Sequence, residues 1–210
     1  MNVIKNAKIA TKLFSSFLLL LALMIGLGSY SLTQVSHVNA AAVELATRWL
    51  PGVHDLLTLK SNMNRIRSLE FRHVLTLEPA QMQEIERMLE EKKAEIRKVQ
   101  ASYSALESTP EEHALYEGTY KVDLEAFLRE SDKIIRISAQ LKKPEATALM
   151  LGDSLEHYNK LLTTADKLTD INVKGGAEAS VAAARVYDSA HMGVINGLVA
   201  SAILALLLAF

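Results

Sequence analysis

Hydrophobic and polar positions divide the chain into two long apolar segments and a mixed segment between them. Residues 13–43 contain no formal charge, and residues 189–210 contain none either. A helix that crosses a bilayer core of roughly 30 Å needs about 20 mostly apolar residues. The pattern therefore predicts two transmembrane helices, at residues 13–33 and 191–210.

The second apolar segment ends at Phe210 without a charged residue beyond it. A membrane-spanning helix is ordinarily followed by polar residues at the interface. We therefore expect that the sequence is a fragment, and that its second transmembrane helix is truncated at this position.

Charges beside the first apolar segment predict its orientation. Three lysines and no acid precede it, at Lys5, Lys8 and Lys12. Lys and Arg accumulate on the cytoplasmic side of membrane helices, so residues 1–12 should form a cytoplasmic leader and residues 34–190 should lie outside. A cleaved signal peptide is the alternative, but the weak cleavage-like triplet Val38-Asn39-Ala40 lies far beyond the apolar run.

The middle of the chain repeats apolar residues at alternating spacings of four and three. Four helical stretches are predicted, at about 44–76, 80–107, 111–141 and 145–188. One apolar stripe per helix is typical of a bundle. Since both apolar segments must meet the same membrane, the number of bundle helices should be even. The predicted fold is all-α: an antiparallel up-down four-helix bundle flanked by two transmembrane helices.

Prolines and a threonine predict where the helices begin. Three prolines occupy predicted helix starts, where proline is favoured, at Pro79, Pro110 and Pro144. Thr109 should cap the third stretch, because acids follow it at the positive end of the helix dipole. Pro51-Gly52 interrupts the first stretch, and a kink or short break is expected there.

Composition narrows the function. All 24 acidic residues and all but three of the 23 basic residues lie between positions 44 and 188. This mildly acidic surface does not indicate nucleic-acid binding. The chain has no cysteine, which excludes disulfides, thiolate catalysis and cysteine-ligated metals.

Arginines on the first and third helices are predicted to lie at matched heights. By helical rise, Arg72 and Arg136 are about five residues from the distal end, and Arg65 and Arg129 about twelve, with Arg67 between. Guanidinium groups bind carboxylates and phosphates in bidentate fashion. The cluster predicts a pocket for a small organic anion, although each arginine alone is explained as readily by a surface ion pair.

Other polar residues are weaker candidates. Glu70 and His73 continue the apolar stripe of the first helix, so each needs a polar partner or borders a pocket. Their spacing matches half of a di-iron motif, but a second copy is missing and no metal is predicted. Thr163 and Thr164 could donate hydrogen bonds to a ligand. The sequence shows no catalytic triad spacing and no glycine-rich phosphate loop, so we predict neither catalysis nor a cofactor.

A series of short motifs gives a family resemblance. In order they are Asn6-Ala7-Lys8-Ile9-Ala10-Thr11-Lys12-Leu13, Trp49-Leu50-Pro51, Arg65-Ile66-Arg67-Ser68-Leu69-Glu70-Phe71-Arg72-His73-Val74-Leu75, Tyr120, Lys142-Lys143-Pro144-Glu145-Ala146 and Leu168-Thr169-Asp170-Ile171-Asn172. Over nearly the whole chain they resemble the four-helix-bundle sensory module of bacterial methyl-accepting chemotaxis proteins. The resemblance implies a homodimeric periplasmic ligand-binding bundle in the inner membrane. It would signal through the second transmembrane helix to cytoplasmic partners.

The resemblance also implies a ligand site on the first helix. Aspartate and serine receptors of this group bind ligand carboxylates with three arginines spaced five and four apart. Those positions fall near Met63, Ser68 and Arg72, and only Arg72 matches. Arg65 and Arg67 are neighbouring substitutes, so dicarboxylates, tricarboxylates and aromatic acids are further candidate ligands.

The leading hypothesis is a chemoreceptor sensory module that binds a small organic anion. Its candidate ligand-binding residues are Arg65, Arg67, Arg72, His73, Arg129, Arg136, Thr163 and Thr164. One alternative is the input domain of a histidine kinase or a cyclic-nucleotide enzyme. Another is a structural ectodomain that binds a partner protein.

Overall fold

The computed structural model describes residues 9–106 and 109–209, and almost all of them are helical. Its α-helices are α1 (Ile9–Glu44), α2 (Leu50–Leu75), α3 (Pro79–Ser104), α4 (Pro110–Leu115), α5 (Lys121–Ala139), α6 (Lys143–Leu151) and α7 (Asp153–Ala209). Two π-helical turns occur at Leu45–Trp49 and Tyr116–Tyr120. Neither described range contains a β-strand, in agreement with the predicted all-α fold and its four long bundle helices.

The chain divides into two compact units, and the larger one is Ala46–Gly176. It has a continuous hydrophobic core to which α2, α3, α5 and α7 all contribute. The core includes Leu56, Leu59, Met63, Ile66, Leu69, Ile85, Leu89, Ile96, Tyr103, Tyr116, Tyr120, Leu124, Phe127, Leu161, Ala165 and Leu168. On α2, α3 and α5 the core consists mostly of residues that the apolar spacing predicted. In the fourth stretch the predicted stripe of Leu151, Leu155, Tyr158, Leu162 and Ala165 was largely misplaced, because only Ala165 belongs to the buried core, together with Leu161 and Leu168.

Contacts between α2 and α7 run in opposite residue order. Arg67 on α2 contacts Ser154, and Lys60 contacts Asp166, with 2.5 Å between Nζ and Oδ1. Lower residue numbers on α2 therefore lie beside higher residue numbers on α7. In addition, α2 packs against α3 and α5, and α5 packs against α6.

The predicted helix starts are confirmed. Pro79 and Pro110 are the first residues of α3 and α4, and Pro144 is the second residue of α6. The Thr109 hydroxyl accepts a hydrogen bond from the Glu112 backbone N–H at 3.1 Å, as an N-cap should. The end predicted at residue 141 was wrong: α5 ends at Ala139, because Leu141 has the left-handed φ of 62°.

The fourth stretch is broken, contrary to the prediction of an uninterrupted helix over 145–188. The α6 helix ends at Leu151, and Gly152 lies outside the helical region with φ −94° and ψ −119°. A new helix then begins at Asp153. The apolar spacing continues across Gly152, which is why the pattern did not reveal the break.

The interruption expected at Pro51-Gly52 lies slightly earlier in the chain. The π-helical turn ends at Trp49, and α2 begins directly after it with Pro51 in its first turn. The second π-helical turn, at Tyr116–Tyr120, was not predicted. Both turns are followed by an α-helix without a loop, so the hydrophobic pattern remains helical through them.

The smaller unit contains the two apolar segments. Two helical stretches, Leu13–Leu75 and Lys143–Leu207, are each long and apolar enough over part of their length to cross a membrane. The helices approach closely at Gly197, where an added Cβ would lie 2.2 Å from Leu27 Cδ2. Most of the predicted leader, residues 1–8, and the chain end at Phe210 lie outside the described residues.

A second close approach occurs in the larger unit, between α7 and the π-helical turn before α2. A Cβ at Gly175 would lie 2.3 Å from the ring of Trp49, which is 7% exposed. The Arg48 guanidinium stacks over the same indole, 3.7 Å from its centre. Only glycine leaves room for this ring, so Gly175 fixes how closely α7 packs there.

We expect Gly175→Ala to destabilise the protein, although alanine is the better helix former. The overpacking should cost about 1–3 kcal/mol and exceed the gain of about 1 kcal/mol in helix propensity. Thermal unfolding of the full chain, followed by circular dichroism, measures the change. Gly118→Ala is the matched control, because Gly118 is helical with no atom near its Cβ position. A Gly175→Ala variant as stable as this control would contradict the packing account.

Candidate functional site

The eight predicted ligand-binding residues occupy four different settings. Arg65 and Arg72 are exposed on α2, Arg67 and His73 are buried, Arg129 and Arg136 are exposed on α5, and Thr163 and Thr164 lie on α7. The structure therefore does not gather them into one pocket.

The side chain of Arg67 forms its hydrogen bonds inside the bundle. Its guanidinium is 6% exposed and donates to Glu70 Oε2 at 3.0 Å and to Ser154 Oγ at 3.1 Å. It also donates to the backbone carbonyl of Met150. The carbonyl belongs to the last turn of α6 and Ser154 to the first turn of α7. Arg67 therefore satisfies polar groups at the Gly152 break, which leaves it poorly placed to bind a ligand.

Glu70 is the buried counter-ion of Arg67. Its side chain has no exposed surface, and burial raises its pKa, against the lowering effects of Ser131 and the Arg67 charge. Charge burial is costly unless the ion pair is well hydrogen-bonded. The pair accounts for Glu70 as an internal polar residue of the stripe, as the sequence had suggested.

His73 joins three elements at the end of α2. Its Nδ1 lies 2.8 Å from Ser138 Oγ, and its Nε2 lies 3.2 Å from Glu86 Oε1. Lys143 Nζ donates to the His73 carbonyl at 2.9 Å and to Ser138 Oγ at 2.8 Å. Burial lowers the pKa of His73, and burial also lowers that of Lys143.

The Ser138 hydroxyl donates to the His73 carbonyl at 3.1 Å, and Lys143 donates to the same carbonyl. Each ring nitrogen of His73 therefore has one polar neighbour, Ser138 Oγ at Nδ1 and Glu86 Oε1 at Nε2. These contacts connect α2 to α3, to the last turn of α5 and to the first residue of α6. Across the described ranges, no group of three His, Asp or Glu side chains is arranged to hold a metal ion.

The two threonines differ in access. Thr164 is 6% exposed and therefore lies in the interior. Thr163 is exposed, but its hydroxyl donates to the Asn159 carbonyl at 3.0 Å within its own helix. Neither side chain lies beside the predicted arginines in a common pocket.

The surface of α2 carries an exposed stripe of three apolar and three polar residues that sequence reasoning did not identify. We call it the outer stripe; its residues are exposed and alternate at spacings of four and three: Leu57, Ser61, Asn64, Ser68, Phe71 and Leu75. Leu57 and Leu75 are 51% and 81% exposed. Asn64 also accepts a hydrogen bond from the Tyr158 hydroxyl at 2.6 Å. Such spacing is typical of a helix that packs against a parallel copy of itself.

Arg65 and Arg72 border the outer stripe, seven residues apart and therefore on one side of α2. Neither forms an ion pair with any part of the chain that the structure describes. Exposed Arg87, by contrast, pairs with Glu84 and Glu91. Two neighbouring guanidinium groups are thus available to an external anion.

Arg129 and Arg136 face a groove between α3 and α5 with a volume of about 870 Å³. The groove is also lined by Lys93, Lys133, Glu86, Glu90, Asp132, Leu89, Ile135, Ala139 and Gln140. Arg65 and Arg72 do not line it. The matched heights predicted for the arginines therefore do not bring the two pairs together, because height along a helix leaves the direction of the side chain undetermined.

A polar cluster at the other end of the bundle was missed. The Tyr103 hydroxyl donates to Glu112 Oε1 at 2.6 Å, and Asn172 Nδ2 donates to the same oxygen at 2.7 Å. Leu161, Ala165, Leu168 and Asn172 continue the four-and-three spacing of α7. That spacing was a usable signal that Asn172 is internal.

In the comparison with family models, residues 6–187 match a four-helix-bundle sensory module for signal transduction. The chain belongs to this family. The assignment confirms the predicted resemblance to sensory modules of methyl-accepting chemotaxis proteins. Among curated proteins, no match to the chain is found. The sensory module is thus identified by its bundle, and its ligand site has to be argued from the geometry above.

We expect Arg67→Met to destabilise the sensory module by about 3–5 kcal/mol, because it leaves Glu70 buried without its counter-ion. The double variant Arg67→Met, Glu70→Leu removes the buried charge and should be more stable than the single variant. Chemical unfolding of the full chain measures both. Arg72→Ala is the control and should change stability by less than about 0.5 kcal/mol. Equal effects of Arg67→Met and Arg72→Ala would contradict an internal role.

Acidification should destabilise the sensory module through His73. Because its folded pKa lies below the ordinary 6.5, the unfolded chain takes up this proton first. The contribution of neutral His73 to the stability of the fold is complete above about pH 6.5. It is lost as the pH falls through that value towards the pKa of His73 in the folded state. The raised pKa of Glu70 acts in the opposite direction, so the informative comparison is with His73→Gln.

Between about pH 7.5 and 5.5, the Tm of the wild type should fall more than that of His73→Gln. Melting curves at matched ionic strength give both changes. Parallel falls in the two proteins would show that the proton is taken up elsewhere.

Proposed function

We propose that the chain is the input part of a transmembrane chemoreceptor, which binds a small organic anion in the periplasm and signals through its second membrane segment. Membership of a signal-transduction sensory family supports a sensory role. One observation carries the ligand class: Arg65 and Arg72 are exposed beside the outer stripe and have no ion-pair partner within residues 9–106 and 109–209.

The layout of the receptor follows from the apolar segments and the charges beside them. We place a cytoplasmic leader at 1–12, transmembrane helices at 13–33 and 191–210, and the periplasmic bundle at 34–190, in a bacterial inner membrane. The opposite residue order of the α2 and α7 contacts supports an antiparallel up-down bundle. In this role the chain is a binding protein without catalysis, cofactor or nucleic-acid partner.

Homodimerisation would complete the site. The outer stripe has Leu57, Asn64 and Phe71 at one repeating heptad position and serines with Leu75 at the other. Two copies anchored in the same membrane would pack these stripes in parallel around a two-fold axis. Exposed apolar side chains such as Leu75 would become buried, which favours association.

The same packing would bring the arginines of both copies to one interface. Arg65 and Arg72 lie directly after heptad core positions and would border the interface from both copies, at two levels about 10 Å apart. A carboxylate accepts two parallel hydrogen bonds from each guanidinium that it meets. A dicarboxylate or tricarboxylate held between the copies would satisfy guanidinium groups that have no partner in one chain.

Signalling requires that the ligand binds one arrangement of the helices more tightly than another. We propose that the two arrangements differ by a small axial shift of α7, which includes both the last bundle helix and the second apolar segment. Cytoplasmic partners would read this shift.

Titration of the full chain in lipid nanodiscs with succinate, malate, citrate and benzoate tests the proposal. We expect at least one acid to bind, and Arg72→Ala to weaken it about tenfold through the loss of a charge-assisted contact in the dimer. Arg129→Ala, on the α5 surface, is the matched control and should leave the affinity unchanged. Absence of binding by every acid, or equal losses in both variants, would refute the anion site.

Cysteine cross-linking checks the dimer in the same samples. The chain has no cysteine, so Ser68→Cys places a single thiol on the outer stripe and Ser102→Cys places one on the exposed surface of α3. Mild oxidation should cross-link the first variant into a dimer much faster than the second. Equal rates would exclude the outer stripe as the interface.

A further inference from the structure

The groove between α3 and α5 is lined by charged residues of both helices, with more acids than bases on α3 and more bases than acids on α5. On the α5 wall, Arg129, Lys133 and Arg136 follow at spacings of four and three residues and therefore share one helix face. On the α3 wall, Glu86 and Glu90 are spaced by four. The floor between the walls is apolar and includes Leu89 and Ile135.

Only some of the charged side chains on α3 form ion pairs with charged side chains on α5. Lys93 on α3 donates to Asp132 on α5, so the helices are close enough for a direct bridge. One turn further along, Glu90 and Arg136 are brought opposite by the same register, yet no ion pair joins them in the described structure. Glu90 instead accepts from Lys93 at 2.7 Å, within its own helix. Arg136 has no ion-pair partner among the described residues.

We propose that this groove binds a zwitterion whose ammonium and carboxylate groups are separated by a short apolar chain, such as an ω-amino acid. The carboxylate would bind Arg136, and the ammonium would bind Glu90. The neighbouring Lys133 pairs with Glu130 on its own helix, with 2.5 Å between Nζ and Oε1. Methylene groups between the two charged groups of the ligand would cover the apolar floor. The site lies within a single chain, apart from the anion site of the outer stripe, and it requires no second copy.

The distance between the two helices determines how far apart the charged groups of the ligand must be. In packed bundles the axes of neighbouring helices lie about 8–10 Å apart. An α-amino acid carries both charges on one carbon and reaches a single wall at a time. A chain of several methylenes spans the floor and gains hydrophobic transfer free energy from each CH₂ that it buries. A plain acid would make no contact with Glu90, and a plain amine would make none with Arg136.

Titration of the full chain in nanodiscs with 5-aminopentanoate tests the site, with pentanoate, pentylamine and norvaline as comparison compounds. Norvaline is the α-amino isomer of 5-aminopentanoate, so the two differ only in charge separation. We expect 5-aminopentanoate to bind at least about tenfold more tightly than each of the other three. Comparable binding of pentanoate, pentylamine or norvaline, or no binding of 5-aminopentanoate at about 10 mM, would overturn the proposal.

Two variants locate the site. Arg136→Ala and Glu90→Gln should each weaken 5-aminopentanoate about fivefold or more. Glu90 is preferable to Glu86, which also accepts from His73; Lys93 keeps Asp132 when Glu90 is replaced. Arg72→Ala is the control and should leave this affinity unchanged, while it weakens the acids at the outer stripe. Unchanged affinity in both groove variants, with unchanged melting temperatures, would place the ligand elsewhere and leave the anion site unaffected.

Discussion

The buried contact between Arg67 and the Gly152 break is the constraint on which the bundle depends. A helix that stops inside a protein leaves carbonyl groups without partners, and each costs free energy unless it is satisfied. Arg67 supplies donors to the Met150 carbonyl and to Ser154 on the other side of the break. Glu70 then balances the charge from the next turn of α2. A single i,i+3 pair thereby holds the fourth stretch of the bundle against the first.

This constraint determines which side chains remain for ligands. Once Arg67 and His73 are internal, the remaining cations of the predicted site lie on the outer faces of α2 and α5. Those on α2 border the exposed outer stripe, whereas those on α5 face Glu86 and Glu90 across a groove. The two surfaces differ in their arrangement of charges, and for this reason we assign different ligands to them.

The sequence predicted the bundle well because its signals are local. The helix starts are marked by prolines and by the capping residue Thr109, and the core is marked by one apolar stripe on each helix. Both signals can be read directly from the sequence. The predicted ligand cluster was less accurate, because heights along helices were estimated without their rotation. Met63, Arg67, Glu70 and Val74 in fact follow a four-and-three spacing, which would have placed Arg67 inside. The Gly152 break depends on side chains from α2, so local propensity alone could not predict it.

The two proposed sites also differ in their thermodynamics. A ligand held between two copies of α2 binds only the dimer, so its apparent affinity rises with the surface density of the chain, and the ligand in turn stabilises the dimer. A ligand in the groove between α3 and α5 meets all of its partners in one chain, and its affinity is independent of that density. Dilution in the membrane therefore separates the two modes without any mutation. A receptor that carried both would respond to acids only where it is assembled, and to zwitterions wherever a single chain is folded.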